Sequence, residues 1–198
     1  GTVPVPHADI INLSLGSTSS TASEQAVYDQ ARAAGLIVVA AAGNDGTSTP
    51  FYPAAYPGVV GVSAVTITKP LAPYSNFGAA VDLAAPCGNT ATDVNGDGKP
   101  DGVLSTVAND SSGVVINDYV IWQGTSMATP AVTGVIALAQ QAALEETGRK
   151  FDTRAMKEVL KRAAVDVAEK GPDDATGYGI PVASDLRKRT IHMLEAMG

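Results

Sequence analysis

The sequence predicts an α/β fold in which helices flank a doubly wound, mostly parallel sheet. Two observations favour this class. Short apolar runs that end in glycine or proline alternate with segments of helical periodicity in the first half of the chain, and helical patterns fill the second half. The first strand, helix and strand also follow one another with short joints, and such a βαβ unit requires parallel strands.

The first βαβ unit is readable residue by residue. The run DIINLSLG, at 9–16, predicts a buried strand, and LIVVAAA, at 36–42, predicts the next. Between them Thr21 and Glu24 form the pattern of a capping box, and Gly35 stands where a helix would end.

The later elements follow the same signals. Apolar runs predict two more strands at 58–65 and 80–86, the second stopped by Pro86. Polar, glycine-rich sequence then extends to Asn117. We expect a short strand at 119–122 and, after it, helices at 131–146, 155–164 and 185–197.

Composition limits the class of protein. The 198 residues suit one domain, and 45% hydrophobic with 17% charged residues is typical of a globular chain. The net charge of −7 disfavours nucleic acid as a partner. Polar residues or glycine interrupt the long apolar stretches, so no membrane span is expected. The single cysteine, Cys87, excludes an internal disulfide and is expected to be a buried thiol.

Two glycine-flanked segments carry candidate catalytic groups. In WQGTSMATPAV, Ser126 stands near the start of a small-residue helix, whose dipole and free N–H groups can hold a developing oxyanion. Thr129 and Pro130 also fit a helix start, in which case Ser126 or Thr125 is merely a cap. In AAAGNDG, Asn44 follows a buried strand and can present its amide at the carboxyl edge of the sheet.

Together these segments resemble the subtilisin-like serine proteases, the subtilases. GTSMATPAVTGVIAL is similar to the family's serine motif, AAAGNDG to its oxyanion-hole motif, and INLSLG to the strand that lines its substrate cleft. FYPAAYPGVVGVSAV, PYSNFGAAVDLAAP and GYGIPVASDL follow in the family's order. Residues 1–198 are therefore expected to be the C-terminal portion of a single subtilase catalytic domain, from a secreted or cell-surface protein.

The resemblance implies a role for each matching residue. Ser126 would attack the scissile carbonyl of a polypeptide substrate, while its own N–H and the Asn44 side chain bind the oxyanion. Phe51 falls at the floor of the first specificity pocket, so small or medium side chains are expected before the cut bond. The substrate-pairing strand and the pocket walls would come from Ser14, Leu15 and Gly16 on one side and Ala41, Ala42 and Gly43 on the other.

The family's catalytic Asp and His belong upstream of the INLSLG strand, and its N-terminal strands are missing from this sequence. His7 stands where the family carries no catalytic group, and His192 falls among apolar residues. Since a serine without a base is a poor nucleophile, the 198-residue piece alone is expected to be inactive. We expect an N-terminal part of the same protease, or a second copy in a homodimer, to cover the exposed edge of the first strand.

Two other interpretations stay open. A degenerate subtilase would bind peptides without cleaving them, although the candidate nucleophile and oxyanion amide are both retained. An esterase of the α/β-hydrolase type would need a G-x-S-x-G elbow, but Ala128 replaces its last glycine. Its catalytic groups would be Ser126, Asp166 or Asp185, and His192.

The stretch DVNGDGKPDG matches positions 1, 3, 5 and 9 of a calcium-binding loop, with Gly98 at position 6. Leu104 stands at position 12, where a bidentate Glu belongs, so the pattern is not a full EF-hand. A solvated turn is the alternative. The expected ligands of a structural calcium ion are Asp93, Asn95, Asp97 and Asp101.

Overall fold

The computed structural model describes residues 8–111 and 113–184, together with 189 and 191. In this part of the chain, four strands form a parallel sheet in the order β1-β2-β3-β4. Their bounds lie within the runs predicted from the sequence: Ile10–Leu13 (β1), Ile37–Ala41 (β2), Val60–Val65 (β3) and Leu83–Pro86 (β4).

Helices cover both faces of this sheet. Helix α1 (Ala22–Ala33) packs on the face that includes Val38, whereas α2 (Thr125–Thr147) and α3 (Thr153–Ala163) pack on the face that includes Val39. Neighbouring strand residues point to opposite faces, so one buried strand contributes to both cores. All five residues of β2 are buried, as expected for a strand between two helical layers. The predicted α/β class is confirmed.

The ends of α1 follow the predicted signals. The Thr21 side-chain oxygen accepts the backbone N–H of Glu24 at 3.1 Å, which satisfies one of the free donors of the first turn. Gly35 follows the last turn with φ of 87°, a conformation that glycine adopts without a steric penalty.

Helix α2 begins at Thr125, six residues earlier than the sequence predicted. Pro130 therefore lies inside the helix, and the interpretation of Thr129 and Pro130 as a helix start is wrong. A proline has no N–H to give to the carbonyl four residues before it, here that of Ser126. The longer helix places Ser126 in its first turn.

Helix α2 is long and apolar enough to cross a membrane, and in the described part of the chain it is the one helix of this kind. Its packing gives another reason for this composition, because it contacts all four strands of the sheet. The stripe that faces the sheet consists of small and branched residues, all buried: Ala128, Val132, Ile136, Ala139 and Ala143.

Most of an antiparallel hairpin after β4 was not predicted from the sequence. Val103–Asn109 (β5) pairs with Ile116–Trp122 (β6), of which only 119–122 was expected as a strand. Both strands are largely exposed, so no buried face imposes a readable alternation. Two further short strands, Ala164–Val165 (β7) and Ile180–Pro181 (β8), were not predicted either. The helix expected at 185–197 lies almost wholly outside the described residues.

The two edges of the parallel sheet differ. At β4, Ala84 donates its N–H to the Gly179 carbonyl at 3.0 Å, and Tyr178 donates to the Asp82 carbonyl at 2.9 Å, so the segment after α3 covers this edge. At β1, none of the strands that the structure describes pairs with the outer edge. This edge thus presents backbone donors and acceptors for a further strand.

The packing of α2 on the sheet can be tested at Ile136 and Leu138, two residues of the same size on opposite sides of the helix. We expect Ile136→Ala to lower the free energy of unfolding by about 2–5 kcal/mol, because Ile136 is fully buried and its removal leaves a cavity. Leu138→Ala, at a position 56% exposed, should change it by only about 0.5 kcal/mol. Urea unfolding of both variants provides the comparison, and equal losses would contradict this packing.

Candidate active site

Three segments meet at the carboxyl edge of the sheet. Residues 14–16 follow β1, residues 42–44 follow β2, and the first turn of α2 lies against both. Sites in parallel α/β sheets form at this edge, because the loops that leave the strands gather there. Ser126 and Asn44, the two predicted catalytic residues, are both brought to this place.

Ser126 is joined to Ser14 by two reciprocal hydrogen bonds. The Ser14 hydroxyl donates to the Ser126 carbonyl at 2.7 Å, and the Ser126 hydroxyl donates to the Ser14 carbonyl at 3.2 Å. Because Pro130 has no N–H, the Ser126 carbonyl lacks its usual partner within the helix, and Ser14 replaces that donor. The end of β1 therefore fixes the position of the candidate nucleophile.

Two residues that sequence analysis missed hold Ser14. The Asn12 side chain donates to the Ser14 hydroxyl oxygen at 3.1 Å, and the Thr133 hydroxyl donates to the Asn12 Oδ1 at 2.9 Å. Thr133 stands seven residues after Ser126, which is about two helical turns, and therefore faces the same strand. A polar Asn inside the apolar IINL strand was the available signal.

Asn44 is anchored to the residue next to Ser126. Its Oδ1 accepts both the Thr125 N–H, at 2.8 Å, and the Thr125 hydroxyl, at 3.0 Å. With the carboxamide oxygen occupied by two donors, the NH₂ group remains to meet a substrate oxygen. Thr125 is fully buried, whereas Asn44 is exposed, so the anchor is shielded while the amide is accessible.

The Ser126 backbone supplies a second donor at the same place. No acceptor for its N–H is found among the described residues. An N–H group in the first turn of a helix has no partner within the helix, and the helix dipole adds a positive potential there. An amide NH₂ and a backbone N–H next to one hydroxyl can stabilise an oxyanion.

Asn76, for which the sequence predicted no role, braces the loop that carries Asn44. Its Oδ1 accepts the N–H groups of Asp45, at 2.8 Å, and Thr47, at 3.3 Å, and its own N–H donates to the Gly43 carbonyl at 2.9 Å. Gly43 has φ of 105°, and a Cβ there would lie 2.2 Å from the Asn76 Nδ2. Only glycine fits this close approach.

Phe51 lies between the two predicted walls of the specificity pocket. A Cβ on Gly16 would lie 2.5 Å from the Phe51 Cε1, and a Cβ on Gly43 would lie 3.0 Å from its Cγ. The backbones of Ser17 and Tyr52 hold this region together with N–H···O bonds of 2.8 and 2.7 Å. The aromatic ring thus fills space between both glycines.

The other predicted wall residues are placed at different depths. Ala41 and Ala42 are buried, at 2% and 4% exposure, and precede Gly43 at the end of β2. Leu15 is 60% exposed and lies between Ser14 and Gly16, on the segment that continues β1.

The four predicted calcium ligands belong to a separate loop between β4 and β5.

Cys87 supports the peptide that precedes Thr125. Its sulfur accepts the Gly124 N–H at 3.2 Å and donates to the Gly124 carbonyl at 3.0 Å. Burial raises the pKa of the Cys87 thiol and outweighs the hydrogen bond from the Gly124 N–H, which favours the thiolate. Burial also raises the pKa of Tyr74, whose hydroxyl donates to the Gly88 carbonyl at 3.0 Å.

A general base for Ser126 is not identified in the described residues. The two histidines of the chain, His7 and His192, both lie outside them, as does Asp185. The site therefore contains a candidate nucleophile and candidate oxyanion donors.

The family comparison agrees with this site. The model of the subtilase family matches residues 6–179. The chain belongs to the subtilase family. Membership excludes the α/β-hydrolase interpretation, in which Ser126 would work with Asp166 or Asp185 and His192.

The relatives of this subtilase include two proteins named as extracellular proteases. It is 34% identical to the minor extracellular protease Epr of Bacillus subtilis (strain 168), over 87% of this chain and 23% of that protein. It is 36% identical to the halolysin-like extracellular serine protease Nep of Natrialba magadii, over 87% of this chain and 27% of that protein.

A solved structure extends the similarity to the fold. A protease of Pseudoalteromonas arctica PAMC 21717 matches with a TM-score of 0.78 and 33% identity, over 96% of this chain and 55% of that one. This subtilase therefore spans about a quarter of the length of these curated relatives and little more than half of the solved protease.

The raised pKa of Cys87 predicts a stability change at alkaline pH. The unfolded thiol ionises near its ordinary value of 9.0, whereas the buried thiol resists ionisation, so stability is present below pH 9 and is lost as pH rises above it. We expect the unfolding free energy of Cys87→Ser to fall less steeply above pH 9, by up to about 1.4 kcal/mol per pH unit.

Urea unfolding between about pH 7 and 10 measures both slopes. Tyr28, Tyr56 and Tyr74 are present in both proteins and contribute to the slope that remains in Cys87→Ser, since their pKa values are also raised. Identical slopes would show that the thiol ionises equally well in the folded chain.

Proposed function

We propose that this subtilase is a serine endopeptidase that hydrolyses peptide bonds through an acyl-enzyme on Ser126. The observation that carries the proposal is the anchoring of Asn44 to Thr125, directly beside Ser126. This contact brings an exposed amide and a hydroxyl to the positive end of one helix. The packing of α2 on the sheet does not require the Asn44 amide or the Ser126 hydroxyl at this place.

The geometry suits acyl transfer. The Ser126 oxygen bonds to the scissile carbonyl carbon while its proton passes to a base, and the carbonyl oxygen takes the negative charge. The Asn44 NH₂ and the Ser126 N–H stabilise that charge. The base then gives its proton to the leaving amine as the C–N bond breaks, and water releases the acyl group.

Substrate binding is assigned to the segment that continues β1. Leu15 and Gly16 are exposed next to the nucleophile, so an extended peptide can pair along this backbone as an added strand. Phe51 occupies the space between Gly16 and Gly43, where the side chain before the cut bond would insert. Small or medium side chains are therefore the preferred residues at P1.

The base and its orienting carboxylate are assigned to a segment that pairs with the outer edge of β1. Two observations support this assignment: no described strand covers that edge, and the relatives are much longer than this chain. Residues 1–198 are then one portion of the catalytic domain and are inactive alone. A homodimer is the other way of covering β1. Because its relatives are named extracellular proteases, we place this protein outside the cell.

Covalent labelling tests the nucleophile. We expect a fluorophosphonate probe to label Ser126 when this chain is joined to the upstream part of its parent protein, and not when it is alone. Ser126→Ala should abolish labelling. Asn44→Ala should reduce kcat for peptide hydrolysis by about 10²–10³, the loss found for one such donor in subtilisin itself.

The matched control is Asn117→Ala, an exposed asparagine on β6, which should leave kcat unchanged. A joined protein that binds peptides but is neither labelled nor active would instead support a degenerate subtilase with a binding role.

Replacing Phe51 tests the specificity pocket. We expect the joined wild-type protein to cleave after Ala or Leu in preference to Phe or Tyr. Phe51→Gly should raise kcat/KM for Phe relative to Ala by about 10-fold or more, because it opens the space between Gly16 and Gly43. A cavity of about 270 Å³ adjoins the ring and would accept the larger side chain.

Tyr119→Gly is the control, because Tyr119 is an exposed aromatic residue on β6 and does not line this cavity. It should leave the P1 preference unchanged. A wild-type preference for Phe or Tyr over Ala and Leu in a P1 substrate panel would refute the proposed shallow pocket.

A further inference from the structure

We propose that the loop from Asp93 to Asp101 binds one Ca²⁺, and that the bound ion braces the peptide that leads into Ser126. The site lies between β4 and β5 and has no part in the chemistry of peptide hydrolysis.

Asp101 provides the observation that points to a cation. Asp101 as a whole is only 6% exposed to solvent. One carboxylate oxygen, Oδ2, accepts the Thr92 hydroxyl and the Val94 N–H, each at 2.9 Å. The other, Oδ1, is buried and has no hydrogen-bond partner in the described part of the chain. Burying a carboxylate oxygen without a partner is costly, and a cation would satisfy it.

The loop is already folded as a cation loop requires. The two oxygens of Asp93 accept the N–H groups of Asp97, at 3.1 Å, and Gly98, at 3.0 Å, which closes the chain into a tight turn. Gly98 has φ of 80°, as the glycine at the sixth position of such a loop needs. Asn95, Asp97 and Asp101 line one cavity of about 320 Å³.

The ligands are not yet gathered around one point. Among the described residues, no three Asp, Glu, His or Cys side chains form a group that could hold a metal ion. Asp97 instead accepts the Asn95 amide at 3.3 Å and the Lys99 N–H at 2.9 Å. Carboxylates without a cation repel one another, so the site closes on binding, when Asn95 turns its amide oxygen to the ion.

The chemistry of these ligands favours Ca²⁺. Carboxylate, amide and backbone oxygens in an irregular loop suit an ion that takes six to eight oxygens, whereas Mg²⁺ needs a near-ideal octahedron. Position 12 is Leu104, so the bidentate carboxylate is absent, and the Lys99 side chain lines the same cavity. Both features weaken binding, toward the Kd of about 10⁻⁴–10⁻³ M of extracellular modules.

Hydrogen bonds connect this loop to the nucleophile segment. Asp101 donates its N–H to the Thr92 carbonyl at 2.8 Å, which closes the base of the loop. Two residues earlier, Thr90 donates its N–H and its hydroxyl to the Gln123 Oε1, at 2.6 and 2.9 Å. Gln123 precedes Gly124 and lies three residues before Ser126. A cation that rigidifies the loop therefore also restrains this peptide.

Terbium luminescence tests binding in the chain as it stands. Tb³⁺ replaces Ca²⁺ in oxygen sites, and Trp122, the one tryptophan of the chain, would sensitise it. Trp122 pairs with Val103, two residues beyond Asp101. We expect tryptophan-sensitised emission that Ca²⁺ displaces far better than Mg²⁺. Asp97→Asn should weaken Ca²⁺ binding by about 10-fold or more, since it removes a charged ligand.

Asp110→Asn, an exposed site beside the same hairpin, makes the same charge change and should bind Ca²⁺ as the wild type does. Asn95→Ala is a second ligand variant, used if Asp97→Asn fails to fold by circular dichroism. Absence of emission, or equal Ca²⁺ affinity in wild type and both ligand variants, would overturn the site. None of these readouts requires proteolysis, so they are independent of the proposed enzyme activity.

Amide hydrogen exchange tests the brace. Ca²⁺ should slow exchange in residues 123–126 of the wild type by about 10-fold. Gln123→Ala should keep terbium binding but lose this protection, because both hydrogen bonds from Thr90 are gone. Unchanged exchange in the wild type on adding Ca²⁺ would overturn the brace.

Discussion

The first turn of α2 is bonded to the ends of two neighbouring strands, and the rest of the candidate site depends on this junction. Ser14 bonds Ser126 from the end of β1, and Asn44 bonds Thr125 from the end of β2. Apolar burial of α2 on the sheet supplies stability but no directional bond, because the hydrophobic effect has no direction. Hydrogen bonds do have a direction, and these fix where the helix dipole and the Ser126 hydroxyl lie.

Pro130 makes this junction specific. In an uninterrupted helix, the Ser126 carbonyl would be satisfied by the N–H four residues later, and a bond from β1 would add little. Because proline has no N–H, the carbonyl needs a donor from outside the helix, and the Ser14 hydroxyl is that donor. Proline usually disturbs a helix, but here Pro130 leaves the Ser126 carbonyl free to bond to the end of β1, which joins the helix to the sheet.

The sequence predicted what depends on local pattern and missed what depends on distant partners. Apolar runs and the Thr21 cap placed the four strands and α1, because burial and capping act within a few residues. Helix α2 was predicted to begin too late, since Thr129 and Pro130 imitate a helix start when the sheet is not considered. Asn76 and Thr133 were missed because their partners lie 31 and 121 residues away. The exposed hairpin carries no burial pattern, and only its second strand was partly found.

The four consecutive residues that end at the candidate nucleophile are held by three segments, which follow β1, β2 and β4. Gln123 is bonded by Thr90, Gly124 by Cys87, Thr125 by Asn44 and Ser126 by Ser14. Gly124 has φ of 138°, a conformation that side chains rarely adopt, and it persists because its neighbours on both sides are fixed. A candidate catalytic group held in this way would need no reorganisation if charge developed on a bound substrate, which is the condition for electrostatic catalysis. Through these contacts, the buried Cys87 thiol and the loop that contains Thr90 belong to one structural unit with Ser126.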